Sequence, residues 1–475
     1  MASLQFPVNS ILRVTVGSQV RSREQSRLML PILLTASLAA HPYCNVAMDT
    51  GVVPPLPSDT NLVQVHTLIR HGSRTKCSVG AEQWAGESDT VYDCSASLLL
   101  GPDANTSTKI LFRKLYTPGK NQLRGNCALG QLVASGLEMQ RASGRRLRAA
   151  YEKLLPSSLA GGTDAFFLRS DDCPRTLASG QALFDAMYDS EHSAVVPWHT
   201  EDADGENTIT CSSTVVCPAF AAARAKAVAT AEALPHYQNA TLPLAAALSR
   251  ALNRSVGASG IEPLLDSLMS VQCPTVPSSG GEPPASFTPS LQAAALAEIT
   301  YQTYVVNNDT AVSRLGAGPL LGEVLVSMEA AAAGHGAPKF VLLSGHDTGP
   351  MAPVLAALRI GGAEFPRFAD LIAIELHRQA PAPARRQAPT GYTGAASGME
   401  AGAASAMEAG AASGLSVRIV HNGQVVTPLV PGCPSAELCP FADFHAAAAA
   451  LVPTPRECGR SDSPAWWPHP SEEWA

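Results

Sequence analysis

Arg70, His71, Gly72, Ser73 and Arg74 form a run in which two guanidiniums flank an imidazole. The planar fork of arginine matches the oxygens of a phosphate or a carboxylate. A histidine between two such forks is placed to attack a bound phosphoryl group. Gly72 lets the backbone turn tightly or approach a ligand closely. The competing reading is a surface salt-bridge cluster, and the pentapeptide alone leaves both open. Two further stretches carry reactive side chains. Ser344-Gly345-His346-Asp347 sets an anion donor beside a candidate general acid, although Asp347 could simply cap a helix. Asp171-Asp172-Cys173-Pro174-Arg175 supplies a third arginine, which could equally bridge to Asp171 or Asp172.

Each stretch must be held by its neighbours in sequence. Residues 62–69 are largely apolar and β-branched, which predicts a buried strand ending at the arginine–histidine run. Open α/β sheets bind ligands at such carboxyl ends. The pattern repeats twice. A strand over 164–170 leads through the Arg175 loop into a helix with Leu177, Leu183, Phe184 and Met187 on one face. A short apolar strand over 339–343 leads through His346-Asp347 into a helix with Met351, Val354, Leu355 and Leu358 facing the core. Further strands are predicted at 369–378 and 416–428, the latter turning at Asn422-Gly423.

Before the second site, residues 76–128 read as a long irregular excursion stapled by cysteines, followed by a helix through Tyr151. Residues 190–335 have a different texture. Alanine-rich helical stretches at 219–234, 243–252, 290–306 and 321–333 are broken by Pro, Gly and Ser clusters, which suggests a helical insertion into an α/β body. The body then spans about 60–190 and 336–460. Residues 379–414 are of low complexity, with Met399-Glu-Ala-Gly-Ala-Ala-Ser recurring at Met407. Such a composition buries too little surface to order itself, so a disordered insert without a catalytic role is expected.

Composition narrows the function. A net charge of −7 with no basic run argues against nucleic acid as the main partner, so any anion site is a local positive pocket. Arg21, Arg23 and Arg27 precede an apolar core over 28–40, with Ser37 and Ala39 as cleavage positions. That core falls short of the ~20 residues of a membrane span, so no stable span is expected. Residues 1–40 therefore read as a secretory signal, giving a secreted or lumenal protein; an organellar transit peptide is the alternative, since Glu24 is the one acid among the first 27 residues. The 11 cysteines include no metal-type pairing of CxxC motifs and fit long-range disulfides, the odd one being free or intermolecular. Sequons at Asn105, Asn239, Asn253 and Asn308 fit a glycosylated lumenal chain.

Taken together, Arg70-His71-Gly72-Ser73-Arg74 and the distant Gly345-His346-Asp347 resemble the histidine acid phosphatase family, the His-Asp type of the histidine phosphatase superfamily. Asn126-Cys127-Ala128-Leu129-Gly130-Gln131-Leu132 with Gly136 resembles its "GQLTxxG" segment, and 169–177 resembles the segment of its third essential arginine. Pro431-Gly432-Cys433 to Cys439-Pro440, with Cys458, resembles its C-terminal disulfide region. The resemblance implies a three-layer α/β sandwich with a central mixed, mostly parallel sheet and a smaller inserted helical subdomain.

The resemblance also implies roles. His71 would be the nucleophile and Asp347 the proton donor, with Arg70, Arg74, Arg175 and His346 holding the phosphoryl oxygens. No metal or other cofactor is implied, the substrate being a small-molecule phosphate monoester at acidic pH. Cys217 would pair with Cys458 and Cys433 with Cys439; Cys273 is half of a third bridge with no partner in the strand at 369–376. Two departures stand out. Lys76 replaces the family's usual proline, and His-Asp stands where many inositol-polyphosphate phosphatases have His-Ala-Glu. The alternatives to a broad acid phosphatase are a narrower phosphosugar, lysophospholipid or inositol-phosphate phosphatase, and an inactive phosphate-binding glycoprotein. Oligomeric state is open.

Overall fold

The computed structural model describes residues 44, 53–77, 82–95, 99–100, 112–188, 195–200, 208–210, 216–274, 281–362, 364–380, 414–434 and 436–460. The expected signal segment, the low-complexity insert, Asn105 and Cys211 lie outside these residues. One large sheet is built from β1 (Thr60–Arg70), β2 (Phe166–Ser170), β3 (Phe340–Gly345), β4 (Leu371–Gln379), β5 (Leu415–His421), β6 (Gln424–Val425) and β7 (Cys439–Pro440). Its order is β6-β5-β4-β1-β3-β2, with β7 also pairing with β5. β1, β3 and β2 run parallel, whereas β4, β5, β6 and β7 pair antiparallel. The sheet is therefore mixed, as expected, but mostly antiparallel rather than mostly parallel, and its three parallel strands carry the three motif loops.

β1 is central and buried from Gln64 onward, so its polar residues need partners or neutrality. The amide of Gln64 donates to Ser327 Oγ and to the Pro338 carbonyl, at 3.0 and 2.8 Å. His66 lacks a hydrogen-bond partner at either ring nitrogen. Burial lowers its pKa to about 3, so the ring is neutral.

The two faces of β1 pack on different helical layers. Val65 and Ile69 meet Leu147 and Tyr151 beside α1 (Ala134–Ala150), and Leu183 of α2 (Pro174–Met187). Leu68 belongs to the opposite core, with Leu320 of α7 (Thr310–Ala333), Met351 of α8 (Met351–Ala357) and Phe444 of α9 (Phe441–Ala449). Helix, sheet and helix thus make three layers. Burying a Leu or Ile side chain in either core contributes roughly 1.5–3 kcal/mol.

Between β2 and β3 lie α3 (Phe220–Glu232), α4 (Leu242–Leu252), α5 (Ile261–Gln272) and α6 (Pro289–Asn307). Leu248, Leu264, Leu268 and Ile299 of α4, α5 and α6 share a core of their own with Trp84 and Phe287. Periodicity did not single out α5, because Pro263 interrupts its start; a proline in a first helical turn removes no needed hydrogen bond. α7 begins earlier than residue 321, since the Asp309 carboxylate accepts from the Ala311 and Val312 amides and caps it. Among the described residues α7 alone is long and apolar enough to cross a membrane, yet most of it is buried inside the fold.

Four disulfides fasten this body: Cys44–Cys273, Cys94–Cys127, Cys217–Cys458 and Cys433–Cys439. Cys273 takes its partner from the N-terminal segment rather than from β4. Beneath β4 and β5 the Glu375 carboxylate accepts from Arg418 Nε at 2.6 Å, His377 Nε2 at 2.9 Å and the Tyr151 hydroxyl at 2.8 Å. Burial alone would raise that carboxyl's pKa, but the His377 and Arg418 contacts hold it below the usual range.

α1 approaches the loop after β1 at backbone contact. A Cβ on Gly136 would lie 2.2 Å from the Ser73 carbonyl oxygen, and one on Gly72 would lie 2.2 Å from the Gly136 carbonyl oxygen. The segment before α1 also pairs with that loop through Thr75 N to Gln131 O at 3.0 Å and Val133 N to Ser73 O at 3.1 Å. Gly136→Ala should therefore cost about 1–3 kcal/mol in a urea melt. Glu375→Ala should cost about 3–5 kcal/mol, because buried Arg418 loses its buried partner and keeps only half-exposed Glu437 as a counter-charge; a loss under 1 kcal/mol would show that the network is dispensable.

Candidate active site

Strand register assembles the site. Arg70 of β1 pairs with Gly345 of β3, and Ser344 of β3 pairs with Ser170 of β2. The next residues on the three strands, His71, His346 and Asp171, therefore emerge together at the carboxyl edge. The His71 amide extends the ladder by donating to the Gly345 carbonyl at 2.9 Å. The Gly72 amide donates to Ser179 Oγ of α2 at 3.1 Å, and Ala369 N donates to the His71 carbonyl at 3.1 Å. The loop is thus pinned on three sides.

His71 is buried, and its Nδ1 lies 2.8 Å from the Gly72 carbonyl oxygen, which can only accept. Nδ1 therefore carries the proton, and Nε2 keeps its lone pair. Burial, reinforced by Arg74, Arg70, Arg175 and His346, holds the ring's pKa well below the ordinary histidine value. A neutral imidazole with a fixed tautomer is a nucleophile ready for use.

The three arginines are held differently. Arg74 donates from Nη2 to Asp266 Oδ1 at 2.6 Å and from Nη1 to the Thr75 carbonyl at 3.1 Å. Burial opposes its charge, but Asp266 outweighs burial and raises its pKa. Arg175 donates from Nη1 to Cys173 Sγ at 2.8 Å, and its Nη2 lies 3.2 Å from His346 Nδ1. Arg70 is buried with its guanidinium 4.3 Å over the Phe368 ring, donating to the Pro366 carbonyl at 2.6 Å. Its Nη2 lies 2.9 Å from Asp347 Oδ2.

That pairing governs Asp347. Burial pushes its carboxyl up, but the Arg70 and Arg74 guanidiniums and His346 hold it below the usual carboxylate range. Its Oδ1 accepts from the Thr348 amide at 2.9 Å, and the helix that follows is capped at Pro350, so Asp347 is not a helix cap. Asp171, weighed in the sequence only as a partner for Arg175, instead meets His346 Nε2 through Oδ2 at 2.7 Å and Thr176 Oγ1 through Oδ1 at 2.6 Å. It orients the His346 ring. Its position one residue past a strand end was the signal for this.

A cavity of about 460 Å³ opens over these groups, lined by His71, Arg74, Arg175, His346 and Asp347. Arg70 stands behind it, reaching the site through Asp347. Lys76 is also accounted for: its ammonium lies 3.1 Å from Glu87 Oε1, whose other oxygen accepts from the Gln83 amide. The lysine anchors the excursion over the cavity's rim. Donor atoms of Asp171, Cys173 and His346 lie within 4.8 Å of one another, the spacing of a possible metal site. Arg175 already hydrogen-bonds two of the three, so its fixed positive charge competes with any cation there. Cys77 on the rim and Cys173 both carry free thiols. The sequon residues Asn239, Asn253 and Asn308 are all exposed.

Comparison with known proteins agrees with this architecture. The model of the histidine phosphatase superfamily (branch 2) matches residues 61–371. Counting factor 60 of Dictyostelium discoideum is 28% identical over 371 residues, covering 73% of this chain and 84% of that protein. The 2-phosphoxylose phosphatase 1 of Homo sapiens is 24% identical over 418 residues, covering 80% and 82%. Among solved structures, a phytase of Klebsiella sp ASR1 superposes with a TM-score of 0.54 at 17% identity, covering 87% of this chain and 99% of that one. The apo phytase of Hafnia alvei gives 0.53 at 15% identity, covering 85% and 99%. At those identities the likeness speaks for the fold, while the family match spans all three motif loops. The chain belongs to the histidine phosphatase superfamily, branch 2.

Proposed function

We propose that this chain is an acid phosphomonoesterase working through a phosphohistidine on His71. The observation that carries the reading is the neutral His71 ring, its Nδ1 proton committed to the Gly72 carbonyl, beneath a cavity edged by Arg74, Arg175, His346 and Asp347. Nε2 attacks phosphorus as the ester P–O bond breaks, and the arginines stabilise charge on the phosphoryl oxygens. Asp347 gives its proton to the departing alkoxide. Its carboxylate then takes a proton from water, which attacks phosphorus, breaks the P–N bond and restores neutral His71.

Asp347 is ionised in the free site, so its proton has to arrive with the substrate. A phosphate monoester has a second pKa of about 6. Below that value the ester enters as a monoanion, and passing its proton to Asp347 leaves a dianion between the arginines. The names of the 2-phosphoxylose phosphatases support a sugar-type leaving group, and the four disulfides support a secretory or lumenal location.

His71→Ala should abolish hydrolysis of p-nitrophenyl phosphate, and rapid acid-free quench of the wild type should trap phosphate on His71; substantial residual turnover ends the nucleophile assignment. In the same assay Asp347→Asn should lose ~10²–10⁴-fold on alkyl phosphates and less on aryl ones, whose leaving groups need less protonation. The pH profile follows from the depressed carboxyl. Asp347 is a base above its lowered pKa and the ester a monoanion below about 6, so kcat/KM should fall about tenfold per unit above pH 6. Esters with a lower second pKa should shift that limb downward; a limb indifferent to the ester would place the proton elsewhere.

A further inference from the structure

The reacting end of the cavity is basic, but its outer wall is acidic. Helix α5 presents Glu262 and Asp266 to the cavity, and Glu87 and Asp347 are the other carboxylates lining it among the described residues. Among the described residues Arg254 reaches only Gln83 on the rim, and of the four cationic side chains nearer the reacting groups three are already committed. Arg74 is paired to Asp266 at 2.6 Å, Lys76 to Glu87 at 3.1 Å and Arg70 to Asp347 at 2.9 Å. Arg175 remains, and its guanidinium faces His346 at the phosphoryl end. Glu262 has no hydrogen-bond or ion-pair partner among the described residues, although it is exposed and lines the cavity. Partial burial of its carboxyl within the cavity, with Asp266 and Asp347 beside it, raises its pKa against the pull of Arg74.

We infer that Glu262 is a specificity-determining residue that restricts the site to singly phosphorylated esters with an uncharged, hydroxyl-bearing leaving group. This inference rests on the phosphatase reading above. One phosphoryl group uses the available positive charge. A second phosphate on the leaving group would project toward Glu262 and Asp266, where no unpaired cation among the described residues lines the cavity, and like charges repel. A polyol or sugar hydroxyl, in contrast, can donate hydrogen bonds to those same carboxylates. The wall thus rejects polyphosphorylated substrates while offering acceptors to a sugar. Sharing the fold of the phytases does not carry a preference for their substrate to this cavity.

The test compares kcat/KM for xylose 2-phosphate, fructose 1,6-bisphosphate and myo-inositol hexakisphosphate, using the full chain and its Glu262→Gln and Glu262→Lys variants. The wild type should favour the monophosphate over both polyphosphates. Glu262→Gln should raise the bisphosphate-to-monophosphate ratio roughly tenfold, and Glu262→Lys should raise it further. Added salt should raise the wild-type ratio by screening the wall and should move it much less in Glu262→Lys. The inference is overturned if the wild type processes the hexakisphosphate as efficiently as the monophosphate, or if neither variant moves the ratio. A chain that hydrolyses none of the esters would fail as a phosphatase. Calorimetric affinities for the same three ligands then decide the selectivity separately: equal affinities overturn it, and a preference for the monophosphate that Glu262→Lys relieves upholds it.

Discussion

The parallel register of β1, β3 and β2 is the constraint on which the site depends. Ser344 stands level with both Ile69 and Ser170, so the three chains leave the sheet at a common edge. A slip of one residue would turn Arg70 and His71 to opposite faces and separate His71 from His346, because side chains alternate along a strand. The close contact of Gly72 with Gly136 serves the same end. With no side chain on either residue, α1 presses on the loop that carries His71 and leaves it one position. Precision at the reacting atoms is thus a property of strand pairing and backbone packing, and the reactive side chains inherit it.

Charge is distributed by the same economy of position. Arg70 is buried, stacked on Phe368 and bound to Asp347, which places it one residue removed from the cavity. Arg74 is turned outward to Asp266 on the helical insertion, and Arg175 is turned inward to His346. At the site, α5 is therefore tied electrostatically to the loop after β1 through the Arg74–Asp266 ion pair. It supplies the wall opposite the nucleophile. α5, which carries that wall, is held by an apolar core of Leu264, Leu265 and Leu268 that owes little to the sheet.

Much of this was legible in the sequence. His71, Arg74, Arg175, His346 and Asp347 stood out because reactive residue types followed directly on short apolar runs, and those runs are β1, β2 and β3. What was illegible shares one property: it depends on partners distant in the chain or on conformation off the strands. Lys76 looked anomalous because it stands at the family's usual proline position, and its partner, Glu87, lies in an irregular excursion with no periodicity to place it. Asp171 has two charged neighbours, and only the tertiary fold decides that it faces His346 and leaves Arg175 to other bonds. Cys44 and Cys273 are 229 residues apart, and no local pattern joins them. α5 was hidden by a proline whose position in the first turn makes it harmless.

The ion pair between Arg70 and Asp347 bears most directly on chemistry. For the general-acid role proposed for Asp347, a carboxyl ionised at rest looks unsuited, and a hydrophobic pocket would have kept it protonated. Of the two guanidiniums that lower its pKa, Arg70 stands behind the cavity, whereas Arg74 lines it where a bound phosphoryl group would engage it. As the phosphoryl dianion forms, it screens Arg74 from Asp347, and the balance tips back toward the burial that favours the protonated carboxyl. The site on this view holds no proton in reserve. On the proposed mechanism it becomes an acid only when an ester occupies it, while burial and the surrounding cations keep His71 neutral throughout.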